Sequence, residues 1–271
     1  MKIAVINFSG NVGKTTIARH LLLPRIDGAE LFSVESLNAA DGEGHAMRGR
    51  QFGELQELLQ TMDSAVVDIG ASNVEELLDL MQKYQGSHED FDAFVVPTVP
   101  ALKQQQDTIA TLVELARLGV PRSRVRLVFN MVSSAADVPA HFDLLRAFLK
   151  AQPIATENVA CHLGPNELYG RIRGSNADLA TLARDDTDYK ALIVKASDTA
   201  EKLTLAQKLA TRRLAVGVLP QLDACFAALG LGESAASTTS HRPHNLFRMK
   251  CPRFRPVAGK PKPCREVACR V

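Results

Sequence analysis

The sequence predicts an α/β fold: a mainly parallel, doubly wound sheet with helices on both faces, followed by a disordered basic C-terminal tail. Three observations carry this. Short β-branched runs alternate with stretches whose apolar residues recur at helical spacing, the pattern of βαβ units. A glycine-rich turn joins the first run to the first helical stretch, so the chain's earliest loop lies at a strand's carboxyl end. Charge then divides the chain. Of 271 residues with a net charge of +2, residues 233–271 carry nine Lys/Arg against two acids, leaving a net of −5 for residues 1–232.

Lys2 to Asn7 is the first strand, and Thr15 to Leu23 has helical composition up to Pro24. Glu30 to Glu35 reads as a second strand. Phe52, Leu55, Leu58, Leu59 and Met62 share a helical face. Ser64 to Ile69 is the third strand, and Val74, Leu77, Leu78 and Met81 mark the helix after it. Phe91 to Val96 is a strand, and a helix runs from Ala101 to Leu118, stopping at Gly119. Arg124 to Phe129 is the fifth strand, Val138 to Lys150 a helix, and Val159 to Leu163 the last strand. Tyr189 to Leu229 continues as helix with weaker periodicity.

The organisation is therefore a domain over 1–232, with its candidate site within 1–170 and a helical part over 187–230, and a tail over 233–271. The boundary falls between Leu231 and Ser234. The tail holds five of the 13 prolines and has little apolar periodicity, so it cannot offset its ordering entropy by burial. The chain is 46% hydrophobic and 23% charged, ordinary for a globular protein. It lacks an apolar run long enough to cross a membrane. Five cysteines, odd in number and unevenly placed, fit a reducing cytoplasm better than a disulfide framework. In the tail, His241, His244, Cys251, Cys264 and Cys269 contain no Cys-x-x-Cys pair and match no standard zinc spacing.

The strongest chemical signal is the loop Phe8-Ser9-Gly10-Asn11-Val12-Gly13-Lys14-Thr15-Thr16 between a strand and a helix. Glycines let backbone amides converge on an anion, and the helix N-terminus adds partial positive charge. Lys14 has the reach for the β- and γ-phosphates of a nucleotide, the Thr15 hydroxyl is placed for Mg²⁺, and Thr16 for the α-phosphate. The fold expected from this loop is that of a P-loop nucleotide triphosphatase.

The first glycine of the usual eight-residue pattern would fall at Phe8, and it stands at Gly10 instead. That spacing resembles the deviant phosphate loop of the ParA/MinD family of ATPases. In that alignment Ser9 occupies the family's signature lysine position and Asn11 its second glycine, which removes a contact across the family's sandwich dimer. The resemblance covers about the first 170 residues. It implies that Asp68, ending Ala65-Val66-Val67-Asp68, stands behind Mg²⁺, and that Asn130, ending Leu127-Val128-Phe129-Asn130, reads the adenine base. An amide that donates and accepts suits a purine edge; an Asn at a strand end also serves as a cap. Gly164-Pro165-Asn166 matches the loop that packs on the base. In the family's switch, Glu35 falls at the metal-site aspartate and Leu37 at the residue that orients water, with Asp41 the nearest substitute.

The resemblance implies a slow or partner-dependent ATPase using ATP and Mg²⁺, with Lys14 and Asp68 as catalytic residues and Thr15, Glu35 and Asp68 at the metal. Its expected partners are a second copy of the chain, a plasmid-encoded protein, and DNA held nonspecifically by the tail. A solvated extension explains the tail equally well. An ATP-dependent small-molecule synthetase or kinase, or a nucleotide-binding scaffold with little turnover, are the other readings.

Overall fold

The computed structural model describes residues 1–34, 49–175 and 177–231. The expectations for Glu35, Leu37, Asp41 and the tail lie outside the described residues.

Six strands form one all-parallel sheet: β1 (Lys2–Val5), β2 (Glu30–Ser33), β3 (Ala65–Asp68), β4 (Ala93–Thr98), β5 (Val125–Asn130) and β6 (His162–Leu163). Their order is β2-β3-β1-β4-β5-β6, which places β1 centrally. Register sets Val5 and Ser33 on either side of Asp68. All six expected strands are present.

Strands β1, β3, β4 and β5 are mostly apolar and buried because both faces are covered. Alternation along β1 sends Ala4 and Ile6 to one core layer and Ile3 and Val5 to the other. The helix α1 begins at Lys14–Thr16, widens to π form over Ile17–Leu22 and tightens at Leu23–Arg25. Over the first face lie α2 (Gly49–Thr61), α3 (Val74–Lys83), α4 (Leu102–Arg117) and α5 (Asp143–Ala151), contributing Phe52, Leu77, Leu112 and Leu145. Each such side chain, fully buried, stabilises the fold by about 1.5–3 kcal/mol. The opposite face is covered by α1, α6 (Leu168–Arg171), α7 (Leu179–Arg184) and α9 (Thr199–Leu229), through Ile17, Leu168, Leu179 and Leu222. Between α7 and α9 in the chain, α8 (Tyr189–Lys195) packs against α9.

At the end of α1, Pro24 has no N–H to give to the carbonyl one turn back. Arg25 supplies the missing donors, its Nη1 donating to the His20 and Leu21 carbonyls at 2.8 and 3.1 Å. Its guanidinium also pairs with Asp223 of α9 at 2.7 Å.

Two expected helices are interrupted. Val138–His141 is a single turn and α5 starts at Asp143, because buried Phe142 breaks the helical backbone to set its ring 4.8 Å from Phe129. The stretch over 187–230 divides at 196–198, where Asp198 turns extended and accepts from the Glu201 N–H as the cap of α9.

Candidate functional site

At the carboxyl ends of β1 and β3 the glycine-rich loop faces a cleft of about 900 Å³. Gly13 caps α1 with φ +92°, a left-handed conformation that favours glycine. A side chain there is also excluded sterically: a Cβ would stand 2.3 Å from Asn130 Nδ2. Asn11 adopts φ +57°, which Asn tolerates better than most residues. The first turn of α1 contains no acidic residue of its own, and its positive N-terminal end faces the cleft.

Lys14 is 8% exposed, and its Nζ donates to the carbonyls of Asn7 at 3.0 Å and Ser9 at 2.7 Å. The loop thus curls around its own lysine. The Thr15 hydroxyl donates to Asp68 Oδ2 at 2.6 Å, joining the head of α1 to the end of β3. These are hard oxygen donors of the kind Mg²⁺ takes, so the pair fits a magnesium-bound phosphate chain. Gly10, Asn11, Gly13, Lys14, Thr15, Thr16 and Asp68 all line the cleft. Buried Ser9 and Val12 shape the loop from behind.

Asn130 is placed differently from the rest. Its Nδ2 donates to the Val12 carbonyl at 2.9 Å and its Oδ1 accepts from the Met131 N–H at 2.9 Å. The amide clamps the glycine-rich loop from the end of β5. Gly164 packs against Ser133, also beside that strand end.

The cleft's other wall was only half visible in the sequence. Arg19 and His20 of α1 face Tyr169 and Arg173 from the segment after β6, and the His20 and Tyr169 rings lie 5.7 Å apart. Burial, then the neighbouring Arg19, lowers the His20 pKa below its usual value, while burial pushes the Tyr169 phenol up to about 12. Among the described residues, the cleft is lined by the cationic side chains of Lys14, Arg19 and Arg173 as well as the Asp68 carboxylate, a balance suited to a polyanion.

No family model and no curated protein matches the chain. Several solved structures resemble it, among them the following three. The MinD cell division protein of Aquifex aeolicus is 11% identical, with 79% of this chain and 96% of that one covered at a TM-score of 0.45. An ATP complex of a variant McdA from Cyanothece is 13% identical, covering 80% and 96% at 0.41. The ParA of pNOB8 is 14% identical, covering 82% and 98% at 0.35.

Sequence reasoning missed one group altogether. Asn7, Thr98, Thr108 and Thr111 are buried behind the glycine-rich loop and hydrogen-bonded to it or to one another, and buried Gln105 bonds to Pro100, His141 and Leu145. Gln105, Thr108 and Thr111 interrupt the face of α4 that carries Leu112 and Leu115. Polar residues continuing an apolar helical stripe were the signal that could have revealed them. Among the described residues, no cluster of His, Cys, Asp and Glu holds a metal by itself, and no helix is long and apolar enough to cross a membrane.

Proposed function

We propose that the chain is a nucleotide-switched ATPase of the ParA/MinD type. The observation that carries this reading is the convergence of the Lys14 ammonium, the N-terminus of α1 and the Thr15–Asp68 pair on one side of the cleft. A triphosphate entering the cleft would meet the loop amides, and Lys14 would exchange the Asn7 and Ser9 carbonyls for phosphate oxygens. Thr15 and Asp68 would hold Mg²⁺, which when bound neutralises charge developing on the phosphates. Asp68 lies at 6% exposure, where its charge is poorly screened by water.

Phosphoryl transfer depends mostly on positioning and charge stabilisation. With Leu37 at the water-orienting position and Ser9 at the signature lysine, turnover is slow or awaits a partner. The motifs Ile6-Asn7-Phe8-Ser9-Gly10-Asn11-Val12-Gly13-Lys14-Thr15-Thr16 and Val66-Val67-Asp68-Ile69-Gly70-Ala71-Ser72-Asn73 are similar to those of the plasmid stability protein StbB. The proposed setting is accordingly plasmid maintenance or conjugative transfer, with ATP joining two copies of the chain and hydrolysis releasing them and their partner.

The test is light scattering after gel filtration with Mg²⁺ and ATP, ADP or nothing, together with phosphate release. An ATP-dependent doubling of mass with slow release is expected. Lys14→Ala is expected to weaken nucleotide binding at least about thirtyfold, since it removes a buried charged partner of the phosphates. Nucleotide binding by Lys14→Ala equal to the unaltered chain sinks the site assignment. Binding with no change of mass favours the scaffold reading.

A further inference from the structure

We infer that Asn7 and Thr111 are positioning residues for Lys14: they hold the two backbone carbonyls between which the Lys14 ammonium sits, and tie them to β4 and α4. The inference rests on the phosphate-loop reading for its consequence, and on local geometry for its substance.

Asn7 is fully buried directly after β1, and its amide is engaged at both ends. Its Nδ2 donates to the Pro97 carbonyl at 2.8 Å and to the Thr108 hydroxyl at 2.8 Å. Its Oδ1 accepts from the Ser9 N–H at 2.8 Å. Buried Thr111 acts on the neighbouring peptide: its hydroxyl donates to the Asp107 carbonyl at 2.8 Å and accepts from the Phe8 N–H at 3.0 Å. Because a peptide is planar, fixing the Phe8 N–H also aims the Asn7 carbonyl, which accepts from Lys14. Holding the Ser9 N–H in turn constrains the residue whose own carbonyl also accepts from Lys14.

The arrangement has a direction. Neither Asn7 nor Thr111 is among the residues lining the cleft, so neither would touch phosphates held there. Their effect passes through the backbone of 7–9 to the ammonium. The far side of the network is anchored on β4 and α4, where Thr98 and Thr108 place their hydroxyls 3.0 Å apart. A buried polar network with its groups satisfied rigidifies what it joins, and loss of one member leaves the others unpaired. Without it, the loop keeps its sequence but Lys14 loses its fixed starting position.

The experiment uses the full chain with ¹⁵N-labelled lysine and follows the Lys14 ammonium resonance by NMR without nucleotide, identified by its absence in Lys14→Ala. A second measurement titrates a fluorescent ATP analogue. In the unaltered chain the ammonium is expected to be protected from solvent exchange. Thr111→Val and Asn7→Ala are expected to abolish that protection and weaken the analogue about tenfold, with unchanged circular dichroism. Thr111→Ser, which keeps the hydroxyl, restores both. Protection in Thr111→Val equal to the unaltered chain overturns the inference. If the unaltered chain binds no analogue, the ATPase reading fails, yet the ammonium signal still decides the role of these residues. Should Asn7→Ala not fold, Thr111→Val and Thr111→Ser decide it alone.

Discussion

Gly13 and Asn130 meet at the narrowest point of the loop, and their contact separates two costs that usually arrive together. Ala at position 13 suffers once from φ +92° and again from an Nδ2 atom 2.3 Å from its Cβ. Backbone strain of this kind costs about 1–3 kcal/mol. In Asn130→Ala the steric part disappears, and so does the hydrogen bond to the Val12 carbonyl. Gly13→Ala is therefore expected to destabilise less in the Asn130→Ala background than in the unaltered chain. A urea-denaturation cycle over the four proteins measures the difference, and strict additivity would remove the steric account. His20 offers a separate test by pH. Its folded pKa is lowered, first by burial and then by Arg19. The unfolded chain therefore takes up this proton first as pH falls below about 6.5, and stability is lost in that direction. His20→Phe keeps a ring beside Tyr169 and removes the proton. The gap in thermal midpoint between about pH 7.5 and about pH 5.5 should narrow in this variant; an unchanged gap would assign the acid sensitivity elsewhere.

At the scale of elements, α9 shows where sequence patterns stop being sufficient. It runs 31 residues through Pro220 and begins only after a break that weak periodicity did not mark. A proline inside a helix removes one hydrogen bond and crowds the preceding turn. Pro220 is exposed, so Pro220→Ala restores the bond without disturbing the core and is expected to stabilise the protein by about 1–3 kcal/mol. A thermal midpoint that stays put or falls would mean that the surrounding backbone is already adapted to the ring. The strands, by contrast, were legible throughout, because a buried parallel strand must be apolar on both faces and each was bounded by a turn. The turn between β1 and α1 was legible for a related reason: Gly13 answers a local backbone requirement that a short motif can express. The buried side of that loop was not. Asn7 meets Thr108 and Thr111 across about a hundred positions of sequence, and only the sheet order that sets β4 beside β1 brings them together. Asn130 was read as a base contact or a strand-end cap, and the hydrogen bond it gives to a carbonyl 118 positions earlier in the chain could not be read from the sequence.

For the whole molecule, the central position of β1 matters most. Its two neighbours deliver Asp68 from one side and the Asn7 anchor from the other, so the loop is braced by strands that have cores on both faces. Charge adds a second organisation that the fold does not express. The first 232 residues are net acidic, whereas residues 233–271 hold nine of the 32 basic side chains. If those nine charges supply the proposed hold on DNA, binding must weaken steeply with salt, because each neutralised phosphate releases counterions. Fluorescence anisotropy with a short duplex should show at least about a tenfold loss of affinity between about 50 and 200 mM salt. Full-length protein with the nine Lys/Arg of residues 233–271 replaced by Gln should lose both the binding and its salt dependence. Its nucleotide affinity should stay unchanged, since the cationic side chains that the described residues place at the cleft all lie before residue 174. Retained binding in that variant would move the DNA contact onto residues 1–232, where Arg171, Arg173 and Arg184 would be the next residues to replace. Equal binding at low and high salt would remove phosphate contact as its basis altogether.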